Sequence, residues 1–399
     1  MPRIKNIIVL VSQYFTGRDY ERYGIDALKN RGYVVSVWDL SKFVHPETIK
    51  TIQITDDNKQ RTEIIRFSNI GKVIEAIYEN HLDSYYISAI YLNVKTIKIY
   101  KAIRANDCKY GCTGPYTVVS RPSSNSSGLS EPLIKKLFQR NWLNYFISKA
   151  DNYYVYLLFA LHKVNYADYF ALAGGQRSRA AGPPINIDTK IQHIHSANYD
   201  LYLKGEKYPH PSFLPKNGYT VFLDQYLPHH PDLMIPDMKI GIDPDKYYSS
   251  LIKYFDNYEL DTGSRVLIAA HPKSQYSDND IRFGGRKVVR GFHSAQIIKF
   301  SDVVIAHYST AIELAILYRK PIIFVTTNDL KSTLIGQHIE GFSNYFNCDT
   351  INMSHSNIDC DIPEVKSNLY QKYIDNYIKK PGTTETFFWQ QVASHISTA

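Results

Sequence analysis

Two loops in this 399-residue chain concentrate side chains that can do chemistry. The first is Asp224-Gln225-Tyr226-Leu227-Pro228-His229-His230-Pro231-Asp232, which follows the apolar run Tyr219–Leu223. It brings two carboxylates and two imidazoles together just past a strand end. A carboxylate there can attack as a nucleophile or accept a proton as a base, and an adjacent imidazole can relay that proton. Asp224, Asp232 and His230 are the candidates. A polar loop built on Asx-turns is the competing interpretation of the same residues. The second loop set is His271-Pro272-Lys273 after Val266–Ala270, with Ser309-Thr310 after Val303–Ala306. Ser309 and Thr310 open a predicted helix, Ala311–Tyr318, with Glu313 one turn in. Free N–H groups at a helix start, a capping hydroxyl and a nearby lysine form an anion site, and a nucleotide phosphate suits it. His271-Pro272 either touches the nucleotide or forms a capped turn.

Weaker candidates surround these. Gly174-Gly175-Gln176-Arg177-Ser178 ends another strand, Asp168–Ala173. Paired glycines let backbone approach a ligand, or simply make a turn, and Arg177 can pair with a carboxylate or phosphate. Arg282 and Arg286 flank Gly284-Gly285 and offer further cations. Three Asp-x-Asp pairs occur, Asp243/Asp245, Asp278/Asp280 and Asp359/Asp361. None follows a confident buried strand, so they are expected to be surface turns, with no metal and no other cofactor.

The elements that must position these residues are short, β-branched and not alternating. Val266–Ala270, Val303–Ala306 and Ile322–Val325 therefore read as strands buried on both faces, with helices between, as in a parallel sheet. The amino-terminal part repeats the pattern. Strands are predicted at Ile7–Val11, Tyr33–Leu40, Ser84–Tyr91 and Tyr116–Val119. Helices are predicted at Tyr20–Arg31, Asn69–Asn80, Val94–Ala105 and Glu131–Val164, the last broken near Asp151. Later helices are expected at Tyr247–Tyr254, Val365–Tyr377 and Thr384–Ser397. Gly17 and Gly24 do not form a dinucleotide GxGxxG. Lys204–Gly218, rich in Pro, Gly and charge, looks like an interdomain linker. The expected class is α/β and GT-B-like, with two Rossmann-like domains facing a central cleft. Residues 1–210 form the acceptor-side domain and 211–380 the nucleotide-sugar domain. Residues 381–399 form a terminal helix that can cross back.

Composition narrows the function classes. The formal charge of +8 suits an anionic partner, yet no nucleic-acid motif appears. A hydrophobic fraction of 44% argues against long disorder. No signal peptide and no run long enough to span a membrane are visible, and four cysteines fit a reduced compartment. The 33 tyrosines are unusual and favour aromatic, sugar-handling surfaces.

The set ADYFALAGGQRS, FLDQYLPHHPD, AAHPKS and AHYSTAIELAILYRKPIIF resembles the retaining β-Kdo transferases of bacterial surface polysaccharide assembly, glycosyltransferase family 99. His-Pro after a strand and Ser-Thr at a later helix start are also similar to CMP-binding GT-B sialyltransferases. The resemblance implies CMP-β-Kdo as donor and a growing, lipid-linked glycan as acceptor. It implies Asp232 as nucleophile and CMP held by His271, Pro272, Lys273, Ser309, Thr310 and Glu313. It gives Gln176, Arg177 and Arg286 a role near the donor carboxylate. Fusion to other transferase modules and a cytoplasmic place at the inner face of the inner membrane follow from the same resemblance. An inverting transferase of another CMP-nonulosonate, and a non-catalytic glycan-binding module, are the alternatives.

Overall fold

The computed structural model describes residues 4–17, 19–46, 62–114, 142–176, 185–230, 241–291, 293–355 and 360–396. The apolar runs become thirteen parallel strands in two sheets among these residues. The amino-terminal sheet holds β1 Asn6–Val11, β2 Val34–Asp39, β3 Glu63–Arg66, β4 Ser84–Ala89, β5 Lys109–Gly114, β6 Tyr169–Ala173 and β7 Lys190–Ile194. Its order is β3-β2-β1-β4-β5-β6-β7. The carboxy-terminal sheet holds β8 Thr220–Leu223, β9 Val266–Ala269, β10 Val288–Val289, β11 Val303–Ala306, β12 Ile322–Thr326 and β13 Thr350–Asn352. Its order is β10-β9-β8-β11-β12-β13. Each order reverses once, between β1 and β4 and between β8 and β11. These are the two switch points, where a crevice opens beyond the strand ends.

Burial explains the sequence pattern. Ile8 and Leu10 of β1 enter one core cluster, whereas Ile7, Val9 and Val11 enter another on the opposite face. Both faces of β1 are thus covered by helices, which is why the strand is apolar at every position from Ile7 to Val11. One further cluster, running from Tyr199 to Ile378, fills the carboxy-terminal domain.

The chain passes between the domains twice, side by side. The outward passage follows β7 at His195 and Ser196, earlier than the Pro-rich stretch suggested. Helix Ala197–Glu206 carries Tyr199 into the carboxy-terminal core, so this helix packs with the second domain, although it falls within residues 1–210. The return passage runs after the π-helical turn Ile374–Ile378. Lys379 bridges His195, and the Ser196 N–H donates to the Ile378 carbonyl at 2.7 Å. Helix Phe388–Ile396 then docks on the amino-terminal domain, as the sequence allowed. Phe388, Trp389, Val392, Ala393 and Ile396 join the β1 cluster.

That docking also breaks a predicted helix. Tyr20–Arg31 divides into Asp19–Arg22 and Ile25–Lys29. At the break Gly24 has φ +62°, and a Cβ there would lie 2.0 Å from the Trp389 ring. The Trp389 indole donates to the Arg22 carbonyl at 2.9 Å. Elsewhere the helix expected at Asn69–Asn80 forms as Ile70–Glu79, with Asn69 as its cap. Helix Trp142–Ala160 runs through Asp151 without interruption, against the expected break. The strand expected at 116–119 lies outside the described residues. No described helix is long and apolar enough to cross a membrane.

Candidate active site

The carboxy-terminal switch point gathers most of the predicted residues. Strands β8, β9 and β11 end side by side, so Asp224, His271 and Tyr308 emerge from neighbouring positions of one sheet edge. Asp224 is buried and ties two of these ends together. Its carboxylate accepts the Tyr226 N–H at 3.0 Å and the His271 N–H at 3.2 Å. Gln225 ties the third, its side-chain oxygen accepting the Tyr308 N–H at 2.9 Å. Burial lifts the Asp224 carboxyl to about 6, while those N–H groups, the Tyr276 hydroxyl and the Arg282 charge pull it down. A carboxylate committed to three donors is a scaffold for the loops rather than a free nucleophile.

Around that scaffold the chain is held in unusual conformations. Tyr226 has φ +55°, rare for a non-glycine residue, and its ring packs edge-on against Tyr276 at 5.4 Å. His229 stacks on Tyr248 at 6.3 Å, and burial lowers its pKa, with the Arg282 charge adding to the effect. His230 sits 4.8 Å from His271, ring to ring and edge-on. His271 accepts the Lys273 N–H on Nδ1 at 3.2 Å, and its carbonyl accepts both the N–H and the hydroxyl of Ser274. The His-Pro-Lys segment is therefore a tight turn whose imidazole is half-exposed beside His230. Asp232, two residues on from His230, lies outside the described residues.

Ser309 and Thr310 do precede a helix, but its first N–H groups are spent within the turn: the Ile312 N–H donates to the Ser309 carbonyl and the Glu313 N–H to the Thr310 carbonyl, both at 3.1 Å. Ser309 Oγ accepts the Ala311 N–H at 3.2 Å, Thr310 is exposed, and helix Ile312–Leu317 follows. Glu313 departs from expectation. It is 1% exposed and turns toward the domain crossing, where Ser196 Oγ donates to it at 2.6 Å and Asn198 Nδ2 at 3.1 Å. Asn198 Nδ2 also reaches the Thr310 carbonyl at 2.7 Å. Burial drives the Glu313 carboxyl up to about 8. Its position makes it a strut between the crossing and the Ser309-Thr310 turn, not a nucleotide ligand.

Of the weaker candidates, Arg282 does reach this crevice, its guanidinium 4.4 Å over the Tyr276 ring, whereas Arg286 does not. Arg286 precedes β10 and so lies at the opposite, amino edge of the sheet. There it pairs with Asp256 at 2.6 Å and Glu259 at 2.7 Å. Arg282 is held by Asp280 through two contacts of 2.7 Å, and that guanidinium keeps the Asp280 carboxyl down at about 2. Gly174, Gly175 and Gln176 do allow a close approach, but of the chain's own backbone. A Cβ at Gly174 would meet the Asn376 carbonyl at 2.4 Å, and the Gln176 N–H donates to that oxygen at 2.8 Å. Arg177 lies outside the described residues. Asp243 caps helix Pro244–Thr262, and Asp278 pairs with Arg290. Asp359 lies outside the described residues.

Gln225, Tyr276, Ser196 and Asn198 were not singled out in the sequence. Gln225 adjoins Asp224 and was a legible neighbour. Ser196 and Asn198 fall in a stretch to which the sequence assigned no element, and nothing local signals that they face Glu313.

No family model matches the chain, and no curated relative does. Among solved structures the chain is similar to MurG from Acinetobacter baumannii, with 9% identity and a TM-score of 0.49, over 99% of this chain and 100% of that one. It is similar to the wall teichoic acid polymerase TagF in its H548A form, with 11% identity and a TM-score of 0.48, over 100% and 89%. It is also similar to the UDP-GlcNAc 2-epimerase from Methanocaldococcus jannaschii, with 10% identity and a TM-score of 0.45, over 99% and 100%. The fold assignment rests on the chain itself. Two parallel sheets with single-reversal strand orders, joined by two adjacent crossings and a returning terminal helix, make a GT-B-like α/β protein of two Rossmann-like domains.

Proposed function

We propose that this chain is a glycosyltransferase that moves Kdo from CMP-β-Kdo to a glycan with retention of configuration and without a metal. The observation that carries this reading is the carboxy-terminal switch point. Asp224 and Gln225 tie three strand-end loops to one another, and two of those loops carry His271 and Lys273, and Ser309 and Thr310, in sequence. A monophosphate-linked donor fits one lysine and one capped turn, since it carries less charge than a diphosphate.

The family resemblance supplies the nucleophile. Asp232 attacks the anomeric carbon, the bond to CMP breaks, and CMP leaves with the electron pair. The acceptor hydroxyl then displaces Asp232 while His230 takes its proton. Two inversions give net retention. Asp224 is engaged by its hydrogen bonds, and Asp232 is the other carboxylate in the sequence of that loop. The basic chain, at +8, suits a lipid-linked acceptor at an anionic membrane surface.

The test is transfer from CMP-Kdo with EDTA present, together with intact-protein mass spectra. Wild type with donor alone is expected to gain one sugar, and Asp232→Asn to gain none while still binding CMP. An inverted product contradicts double displacement and favours a single displacement with a base. Strict dependence on magnesium or manganese contradicts the metal-free site.

A further inference from the structure

Helix Trp142–Ala160 turns apolar side chains outward over its second half. Val155, Leu158 and Phe159 point inward and join the core cluster of Tyr100, Ile103 and Tyr110. The helix therefore lies on one face of the amino-terminal sheet, beside helix Ile97–Ala105. Its opposite side carries Tyr153, Tyr156, Leu157, Ala160 and Leu161, at spacings i, i+3, i+4, i+7 and i+8. The Leu161 N–H still donates to the Leu157 carbonyl at 2.8 Å, so this residue continues the turn and the stripe. Tyr153 and Tyr156 are each 71% exposed and Leu161 is 56% exposed; Leu157 and Ala160 are exposed as well. A helix packed on a sheet ordinarily presents charged residues to water on its outer side. One exposed apolar side chain is commonplace, but a contiguous stripe marks a surface that meets something apolar.

Cations rim the stripe. Lys98, Lys101 and Arg104 recur every third residue along the outer side of helix Ile97–Ala105. Lys101 Nζ lies 5.8 Å from the Tyr154 ring centre and 3.5 Å from its hydroxyl, and Arg104 Nε donates to Asn165 Oδ1 at 3.1 Å. These contacts hold the basic row against the aromatic one. Lys163 is exposed just beyond the helix, where its N–H closes the last turn on the Leu158 carbonyl at 2.8 Å. The four cations outnumber Asp107 and Asp151, the acids of the same segments.

The pattern discriminates between occupants. A second copy laid on this face by two-fold symmetry would bring the cationic rim against itself, which is unfavourable. An anionic lipid surface complements both rows. Tyrosine and leucine enter the headgroup boundary, while lysine and arginine stems lie along it with their charges at the phosphates.

We propose that the outer face of helix Trp142–Ala160, rimmed by Lys98, Lys101, Arg104 and Lys163, docks the protein on an anionic bilayer. The net charge of +8 suits such a surface anywhere on the molecule; this face gives the contact a place. It lies apart from the strand-end site and does not depend on the donor assignment.

Co-sedimentation of the full chain with vesicles tests it. Wild type binds vesicles of phosphatidylethanolamine with phosphatidylglycerol, less as salt is added, and binds phosphatidylcholine vesicles far more weakly. Lys98→Gln with Lys101→Gln lowers the affinity about thirtyfold, at about fivefold per cation. Tyr156→Ser with Leu161→Ser lowers it by about tenfold or more. Thermal midpoints equal to wild type in both double variants show that the fold is intact. An environment-sensitive fluorophore on Tyr156→Cys brightens on the anionic vesicles, whereas one on Leu260→Cys, exposed on helix Pro244–Thr262 of the other domain, does not. Absence of binding to either vesicle, equal binding to both, or binding retained by both double variants overturns the proposal. So does a label on Tyr156→Cys that stays dark on vesicles that bind the chain. A dimer in solution that Tyr156→Ser with Leu161→Ser dissociates makes this face a contact between copies and overturns it too. Binding to anionic vesicles by a chain that binds no CMP leaves the surface standing and refutes the donor assignment.

Discussion

Glu313→Gln isolates the strut between the domain crossing and the Ser309-Thr310 turn. Burial holds the Glu313 carboxyl at about 8, against an ordinary 4.5, with the Ser196 and Asn198 hydrogen bonds opposing that rise. Between those values the folded chain keeps a proton that the unfolded chain has lost. The stabilisation is complete below the unfolded value and disappears as pH rises through the folded one. From about pH 6 to about pH 9 the loss amounts to about 3 kcal/mol, at about 1.4 kcal/mol per unit. With an unfolding entropy of about 2 cal/mol/K per residue, the midpoint for this chain falls by about 3 °C. Tyr373, buried beside Glu313 with its pKa raised well above the ordinary value, stays neutral over that range. Glutamine has the same shape and still accepts from Ser196 and Asn198, but it does not titrate. The assay is calorimetric melting of wild type and Glu313→Gln across that range, with the variant losing the slope and becoming the more stable protein at the alkaline end. Equal slopes in the two proteins would refute the placement of this proton.

Asp224→Asn leaves the fold but removes one charged acceptor from the loop rim, so CMP affinity falls about tenfold, measured by calorimetry. The same affinity in wild type declines as pH drops through about 6, because protonation of Asp224 weakens its hold on the His271 and Tyr226 N–H groups. Unchanged affinity in either experiment contradicts the scaffold role. Gly24→Ala forces a Cβ into Trp389 and destabilises by about 1–3 kcal/mol, seen as a lower denaturation midpoint and earlier proteolysis of the terminal helix. Gly174→Ala drives a Cβ into the Asn376 carbonyl and loosens the return crossing, with a comparable fall in the denaturation midpoint.

The parts of the fold that announced themselves were those buried on both faces. β1, β9, β11 and β12 appear in sequence as unbroken aliphatic runs because helices cover them on each side. β3, β10 and β13 escaped notice because they are short and lie at sheet edges or next to them, where the pattern is broken by polar residues. β5, Lys109–Gly114, was hidden by its glycines, one of which exists to admit Tyr85 and Tyr169. The site behaved the same way. His271, Lys273, Ser309 and Thr310 follow strand ends, and strand ends are legible. Arg286 was misjudged because its partners Asp256 and Glu259 lie on another element, and only the fold shows that it belongs to the amino edge. Glu313 sits at the right helical turn for a ligand, yet its side chain faces residues that precede it by more than a hundred positions. Such long-range pairings leave no local trace.

The most direct test of the account is an isothermal titration of the chain with CMP, UDP and GDP, without metal, on wild type, His271→Ala and Ser309→Ala. CMP is predicted to bind wild type and to lose about tenfold in affinity in each variant, with UDP and GDP binding much more weakly throughout. Equal CMP affinity in all three proteins, or a preference for UDP or GDP, would contradict a CMP-sugar site at the carboxy-terminal switch point.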